Sequence, residues 1–198
     1  DEAKNKKIIV KIEEIIKTNK NNVVIIDEAY IDFGGESAIE LINESDNLLV
    51  VQTFSKSRSL AGMRLGFALG NKELIKGLKN IKFSFNSYTI NRLSILAGIE
   101  AFKDEKYFKE SVSKIIKTRE KTKEELKKLN FKVLDSKSNF LFISHNKVFA
   151  EDIYLKLKDK GILVRYFKQD IIKDFIRVTI GTDEEMIIFI NVLKEIID

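Results

Sequence analysis

Two short runs, Val23-Val24-Ile25-Ile26 and Leu48-Leu49-Val50-Val51, limit the folds open to this chain more than any other feature. Contiguous branched or leucyl residues put apolar groups on both faces of a strand, so each run asks to be covered from two sides. Covering material is at hand. Ile8, Ile9, Ile12, Ile15 and Ile16 recur at helical spacing before the first run, and a helical stretch through Ala38 to Ile42 separates it from the second. Leu65 to Leu69 reads as a third strand closed by Gly70, and Asn71 is placed to cap a helix running to about Ile81. Strands alternating with helices predict an α/β layer around a largely parallel sheet.

The pattern changes after residue 103. Tyr107, Phe108, Val112, Ile115, Ile116, Leu126 and Leu129 form the apolar stripe of one long charged helix. Phe131–Leu134 and Phe140–Ile143 read as strands, followed by a helix from about Val148 to Lys158 that Gly161 ends. Ile162–Phe167 and Phe175–Ile180 are two further strands, and Thr182 with Glu185 forms a capping box for a last helix. The expected organisation is residues 1–103 as part of an α/β domain and 104–198 as a smaller α+β domain.

Composition removes several functions. The chain has no cysteine, which excludes disulfides, thiolate metal sites and a Cys nucleophile. Its one histidine, His145, argues against a Ser-His-Asp triad or a His-rich zinc centre and reads as a surface or strand-end residue. No apolar run approaches the roughly 20 residues that span a bilayer. The net charge of +5 is spread along the chain, which favours an anionic small ligand over nucleic acid.

The chemistry-bearing residues gather just beyond strand ends. Asp27-Glu28-Ala29-Tyr30 follows the first strand and Thr53-Phe54-Ser55-Lys56 follows the second, where open α/β sheets bind ligands. Alone, Asp27 could simply cap a turn and Lys56 could be one surface lysine among many. Arg64 sits in Leu60-Ala61-Gly62-Met63-Arg64-Leu65-Gly66-Phe67, an apolar, glycine-flanked setting. A buried arginine there needs an anion, either a ligand or one of the protein's own carboxylates. In the second half, Ser138-Asn139-Phe140 opens one strand, Arg165 ends another and Arg177 lies inside a third. Each of these charges faces either a ligand or a structural counter-ion. The aromatics Phe83, Phe85 and Tyr88 are either core or the rim of a binding site.

Together, Asp27, Tyr30, Thr53, Ser55, Lys56 and Arg64, in that order and spacing, resemble the second half of a fold-type-I pyridoxal-phosphate (PLP) enzyme. The blocks D-E-A-Y-I-D-F, T-F-S-K-S-R-S-L-A-G-M-R-L-G-F, S-N-F-L-F-I and I-R-V-T-I-G-T are most similar to the histidinol-phosphate aminotransferase family, over nearly the whole chain. The resemblance implies an aspartate aminotransferase-like PLP-dependent transferase fold, with part of the large cofactor domain and a small C-terminal domain. It implies that Asp27 keeps the pyridine nitrogen protonated and that Tyr30 hydrogen-bonds the ring oxygen. Lys56 would form the internal aldimine in a desolvated pocket and move the substrate proton. Arg64, Ser55 and Thr53 would hold the cofactor phosphate, and Arg177, Arg165 and Asn139 the substrate phosphate or the carboxylates of 2-oxoglutarate.

Implied partners are a phosphorylated amino alcohol, a 2-oxo acid and a second subunit, in the cytoplasm, with no metal, nucleic acid or membrane. Two other readings fit the same blocks. One is a related PLP enzyme, an aromatic aminotransferase or a threonine-phosphate decarboxylase; the other is a non-catalytic assembly module. The resemblance starts part-way through the family's chain, with the phosphate cup and ring-stacking aromatic expected upstream. The chain is therefore expected to be a C-terminal portion that binds PLP poorly and is inactive alone.

Overall fold

The computed structural model describes residues 2–197, with side chains from residue 8 onward. Two compact units meet at Lys109 and Glu110. In the first, α1 (Glu2–Thr18) precedes β1 (Val24–Asp27), β2 (Leu48–Thr53) and β3 (Gly66–Gly70), followed by α2 (Lys72–Phe85) and α3 (Arg92–Lys103). The unit division falls inside the next helix, α4 (Glu105–Lys128).

The apolar run of β2 does what its sequence demands: Leu48, Leu49 and Val50 are buried. Ile16 of α1 and Ala38 pack with Val24, Leu48 and Val50, and Ile12 and Ile26 lie at the margin of that cluster. Asn47 ties the layer together, its Nδ2 donating to the carbonyls of Ile16 (3.3 Å), Asn19 (3.0 Å) and Asn22 (3.1 Å).

Three expectations need correction. First, the sheet is mixed: β1 runs parallel to β2, from Val24↔Leu48 to Asp27↔Val51, whereas β3 runs antiparallel, from Leu49↔Gly70 to Thr53↔Gly66. The β2–β3 connection holds only the 3-10 turn Ala61–Met63, and without a crossover helix the chain can only reverse direction. Second, the outer strands are covered on one face only. Ile25 on β1 is 61% exposed, and Phe67 and Leu69 on β3 are exposed as well. Third, the stretch 38–44 is a 3-10 helix (Ala38–Glu44) started by Ser37, whose Oγ accepts from the Ile39 N–H at 3.2 Å.

Asn71 caps α2 as its side chain suggested, Oδ1 accepting from the Glu73 N–H at 2.8 Å, and the helix continues past Ile81 to Phe85. Phe83, Phe85 and Tyr88 are exposed, so they are not core residues. The helix α3, which periodicity did not announce, packs Gly98 against Leu65 so tightly that a Cβ there would collide with Leu65 Cδ2.

The second unit is an antiparallel sheet ordered β4 (Phe131–Val133), β5 (Phe140–His145), β7 (Ile176–Thr179), β6 (Arg165–Tyr166), with α5 (Ala150–Asp159) and α6 (Asp183–Ile197). Leu126, Leu141, Ile143, Ile153, Leu157, Ile176 and Leu193 form its core. The capping box is present: the Thr182 N–H donates to Glu185 Oε2 at 2.8 Å and the Glu185 N–H to Thr182 Oγ1 at 3.2 Å. His145 ends β5, its ring centroid 4.8 Å from that of Phe131.

The expected strand Ile162–Phe167 contracts to Arg165–Tyr166, so Arg165 begins the strand instead of ending it. Residues 161–162 are occupied in finishing α5. Gly161 adopts φ 78°, and the Ile162 N–H bonds back to the Leu157 carbonyl at 2.9 Å.

Candidate functional site

The carboxyl ends of β1 and β2 and the start of β3 lie along one edge of the first sheet, because β3 enters beside the end of β2 at Thr53↔Gly66. Asp27 is the last residue of β1 and is exposed; its Oδ1 accepts from the Ala29 N–H at 2.9 Å, which turns the chain toward Tyr30. This turn-capping role and an outward-facing carboxylate coexist. Alternation along the strand puts Glu28 on the other face, where it is buried. Its carboxylate accepts from the Ala38 N–H (2.6 Å), Ser37 Oγ (2.7 Å) and Gln52 Nε2 (2.8 Å), locking the end of β1 to β2 and to the 3-10 helix.

From β2 the chain enters a bend held by its own polar groups. Thr53 Oγ1 donates to Ser55 Oγ at 2.9 Å and accepts from the Ser55 N–H at 3.1 Å. Lys56 follows, its Nζ 5.5 Å from the centroid of the Tyr30 ring. Ser57 Oγ donates to Asp32 Oδ2, which binds the Lys56 bend to the turn after Tyr30. Lys56 is exposed, so these residues alone do not form the desolvated pocket expected around it.

Arg64 is also exposed, contrary to the buried position its apolar setting suggested, because its turn lies at the surface. Its backbone is left-handed (φ 53°, ψ 42°), a conformation a non-glycine residue holds only when its surroundings over-determine it. Its Nη1 donates to the Ala61 carbonyl at 2.9 Å, a main-chain oxygen in its own turn.

The structure thus brings Tyr30 to Lys56 and Thr53 to Ser55, and sets Asp27 and Arg64 on the same sheet edge within their own turns. One amine, one carboxylate, three hydroxyls and one guanidinium make up the donor set. That set matches a cofactor carrying an aldehyde, a ring nitrogen, a phenolic oxygen and a phosphate, so the residues present fit PLP.

The second unit carries a separate cationic feature. Arg165 and Arg177 are cross-strand partners in the β6–β7 ladder. Like charges directly opposite each other destabilise a sheet unless an anion lies between them. The Arg177 guanidinium carbon is 5.3 Å from the Phe140 ring centroid and 5.9 Å from that of Phe167, and that of Arg165 is 5.4 Å from Phe167. Among the described residues, Arg177 Nε is the one buried side-chain nitrogen or oxygen without a hydrogen-bond partner. Asn139 precedes β5 and fastens the neighbouring strand through its carbonyl, which accepts from the Ile180 N–H at 2.9 Å. Behind it the buried Arg119 donates from Nη1 to the Ser138 carbonyl at 2.8 Å.

Sequence reasoning passed over Glu28 and Arg119. The signal for Glu28 was parity, since it shares a face with Val24 and Ile26. For Arg119 no comparable signal exists in a helix so rich in charge.

The sequence profile of the family described as aminotransferase class I and II matches residues 5–193. Histidinol-phosphate aminotransferase of Brachyspira hyodysenteriae is 73% identical over 187 residues, covering 94% of this chain and 53% of that protein. The chain therefore spans about half the length of the curated relatives it matches. Among solved structures, histidinol-phosphate aminotransferase from Clostridium acetobutylicum superposes with a TM-score of 0.84 at 27% identity, covering 94% of this chain and 58% of that one. The Sinorhizobium meliloti enzyme, solved in complex with pyridoxal-5'-phosphate, gives a TM-score of 0.82 at 26% identity, with 93% and 52% covered.

Proposed function

Because this chain belongs to the class I and II aminotransferases, we propose that the protein is a PLP-dependent enzyme moving an amino group between histidinol phosphate and 2-oxoglutarate. The observation that carries this reading is the meeting of Lys56 with Tyr30, 5.5 Å apart, at the carboxyl edge of an α/β sheet. The 73% identical relative named for that activity supports the choice of substrate.

When bound, PLP supplies an electron sink that makes the proton on an amino-bearing carbon removable. The chain's residues do the rest. Lys56 Nζ would hold the cofactor and would serve as the base that takes up and returns that proton. The Asp27 carboxylate would keep the ring nitrogen protonated, and the Tyr30 hydroxyl would donate to the ring oxygen. Arg64, Ser55 and Thr53 would bind the cofactor phosphate. Arg177, Arg165 and Asn139 receive the anionic end of either substrate, and the opposed guanidinium groups suit a phosphate and a carboxylate alike. We further place the enzyme in the cytoplasm as a homodimer; exposed apolar residues such as Ile81 (68%) and Leu93 (73%) fit a subunit contact.

The test uses the protein expressed from its native gene. Added PLP should give a stoichiometric absorbance band that borohydride fixes to Lys56 and that Lys56→Ala abolishes. Histidinol phosphate with 2-oxoglutarate should then yield glutamate faster than phenylalanine does, and threonine phosphate should release no carbon dioxide. Borohydride labelling of another residue, or preference for either competitor, would overturn the assignment.

A further inference from the structure

Arg58, two residues beyond Lys56, is held in a way its neighbours are not. Its guanidinium carbon lies 4.0 Å from the Phe108 ring centroid, 5.2 Å from Phe102 and 6.0 Å from Phe54. Its Nη1 donates to the Ala101 carbonyl at 2.5 Å. These partners come from three places: Phe54 from the bend leaving β2, Ala101 and Phe102 from the last turn of α3, and Phe108 from the first turns of α4. A planar, delocalised cation can stack flat against aromatic faces while its edge donates to a carbonyl; an ammonium group, a compact and strongly hydrated point charge, has no plane to stack. Glu105, on the same stretch of α4, pairs with Lys109 at 2.6 Å, and the Arg58 charge adds only the smallest of the attractions that hold its carboxyl below the usual range.

The bend bearing Lys56 is therefore pinned immediately downstream at two points. Ser57 fastens to Asp32, in the turn after Tyr30, and Arg58 fastens to the α3–α4 junction. The left-handed backbone of Ser59, at φ 56°, follows directly after them. We infer that Arg58 is a positioning residue for Lys56: the guanidinium wedge restricts the bend and so keeps the Lys56 amine at the sheet edge beside Tyr30. This role rests on the proposed function of Lys56, and it assigns Arg58 no contact with cofactor or substrate.

The experiment compares unsubstituted protein, Arg58→Ala and Arg58→Lys, each expressed from the native gene and freed of cofactor. On adding PLP, the Lys56-dependent absorbance band should grow about tenfold more slowly in Arg58→Ala, the scale expected when a reacting group loses part of its preset orientation. Methylguanidinium, which fills the vacated space with the same planar cation, should restore the rate, and methylammonium should not. kcat should fall while KM for the amino donor stays the same, and amide exchange over residues 55–60 should rise in the cofactor-free protein. Should Arg58→Ala fail to fold, Arg58→Lys carries the test, with slower band growth despite the retained charge. Unchanged band growth and exchange in the folded variants would overturn the role of Arg58 alone. A missing Lys56 band in the unsubstituted protein would overturn the cofactor assignment together with it.

Discussion

Replacing Glu28 with alanine should loosen the first unit while leaving the second intact. The carboxylate collects hydrogen bonds from the Ala38 N–H, the Ser37 hydroxyl and the Gln52 amide. Ala38 is fully buried, so its N–H would be left without water, a penalty of about 1–3 kcal/mol. Ser37 and Gln52 are only half-buried and can rehydrate, so each loses about 0.5–1.5 kcal/mol. The sum is about 4 kcal/mol, or roughly a thousandfold in the opening equilibrium. Glu28→Gln keeps one acceptor oxygen but turns an NH2 toward the same donors, so about half of that loss is expected. Hydrogen exchange resolved by peptide reads the effect directly. Protection over residues 24–38 should fall, with the β5 amides as internal control. Protection unchanged within about 0.5 kcal/mol in Glu28→Ala would refute the latch, because rehydration of the two half-buried donors alone costs more.

Three further outcomes can be checked. Leu157→Ala, at a fully buried position in the second core, should destabilise that unit by about 2–5 kcal/mol in urea melts. Thr182→Ala, which removes half of the capping box, should cost about 1 kcal/mol and show as fraying at the start of α6 in exchange experiments. At the end of α4, hydrogen bonds from Lys127 and Lys128, reinforced by their charge, hold the Glu124 and Glu125 carboxyls below their usual range. Their small contribution is thus complete at neutral pH and is lost as pH falls through those lowered values, so Glu124→Gln/Glu125→Gln should flatten the acid limb of helix ellipticity.

Local chemistry in this chain was easy to read where one residue decides the outcome. Asn71 and the Thr182–Glu185 pair announce helix starts because their side chains satisfy backbone donors that nothing else reaches. The position of the blocks around Asp27, Lys56 and Arg64 beside strand ends was legible because apolar runs precede the first two and follow the third, whereas their roles came from the family resemblance alone. Strand burial was harder. An apolar run states what a strand tolerates on its two faces, and β2 sits at the centre of the sheet whereas β1 and β3 lie at its edges. Strand direction was hidden too, since it depends on whether a crossover fits between β2 and β3. Exposure of Arg64 and of Lys56 follows from the depth of the turns that carry them, which residue identity does not encode.

The opposed arginines of β6 and β7 make ionic strength act in two directions at once. Dissolved salt screens charges over about 8 Å at physiological concentration, which relieves the repulsion between Arg165 and Arg177 and steadies their ladder. The same ions compete for whatever anion those guanidinium groups would otherwise capture. If those arginines take the anionic substrate as proposed, a dissociation constant measured in dilute buffer belongs to a protein whose second sheet is at its weakest and whose attraction for that anion is at its strongest.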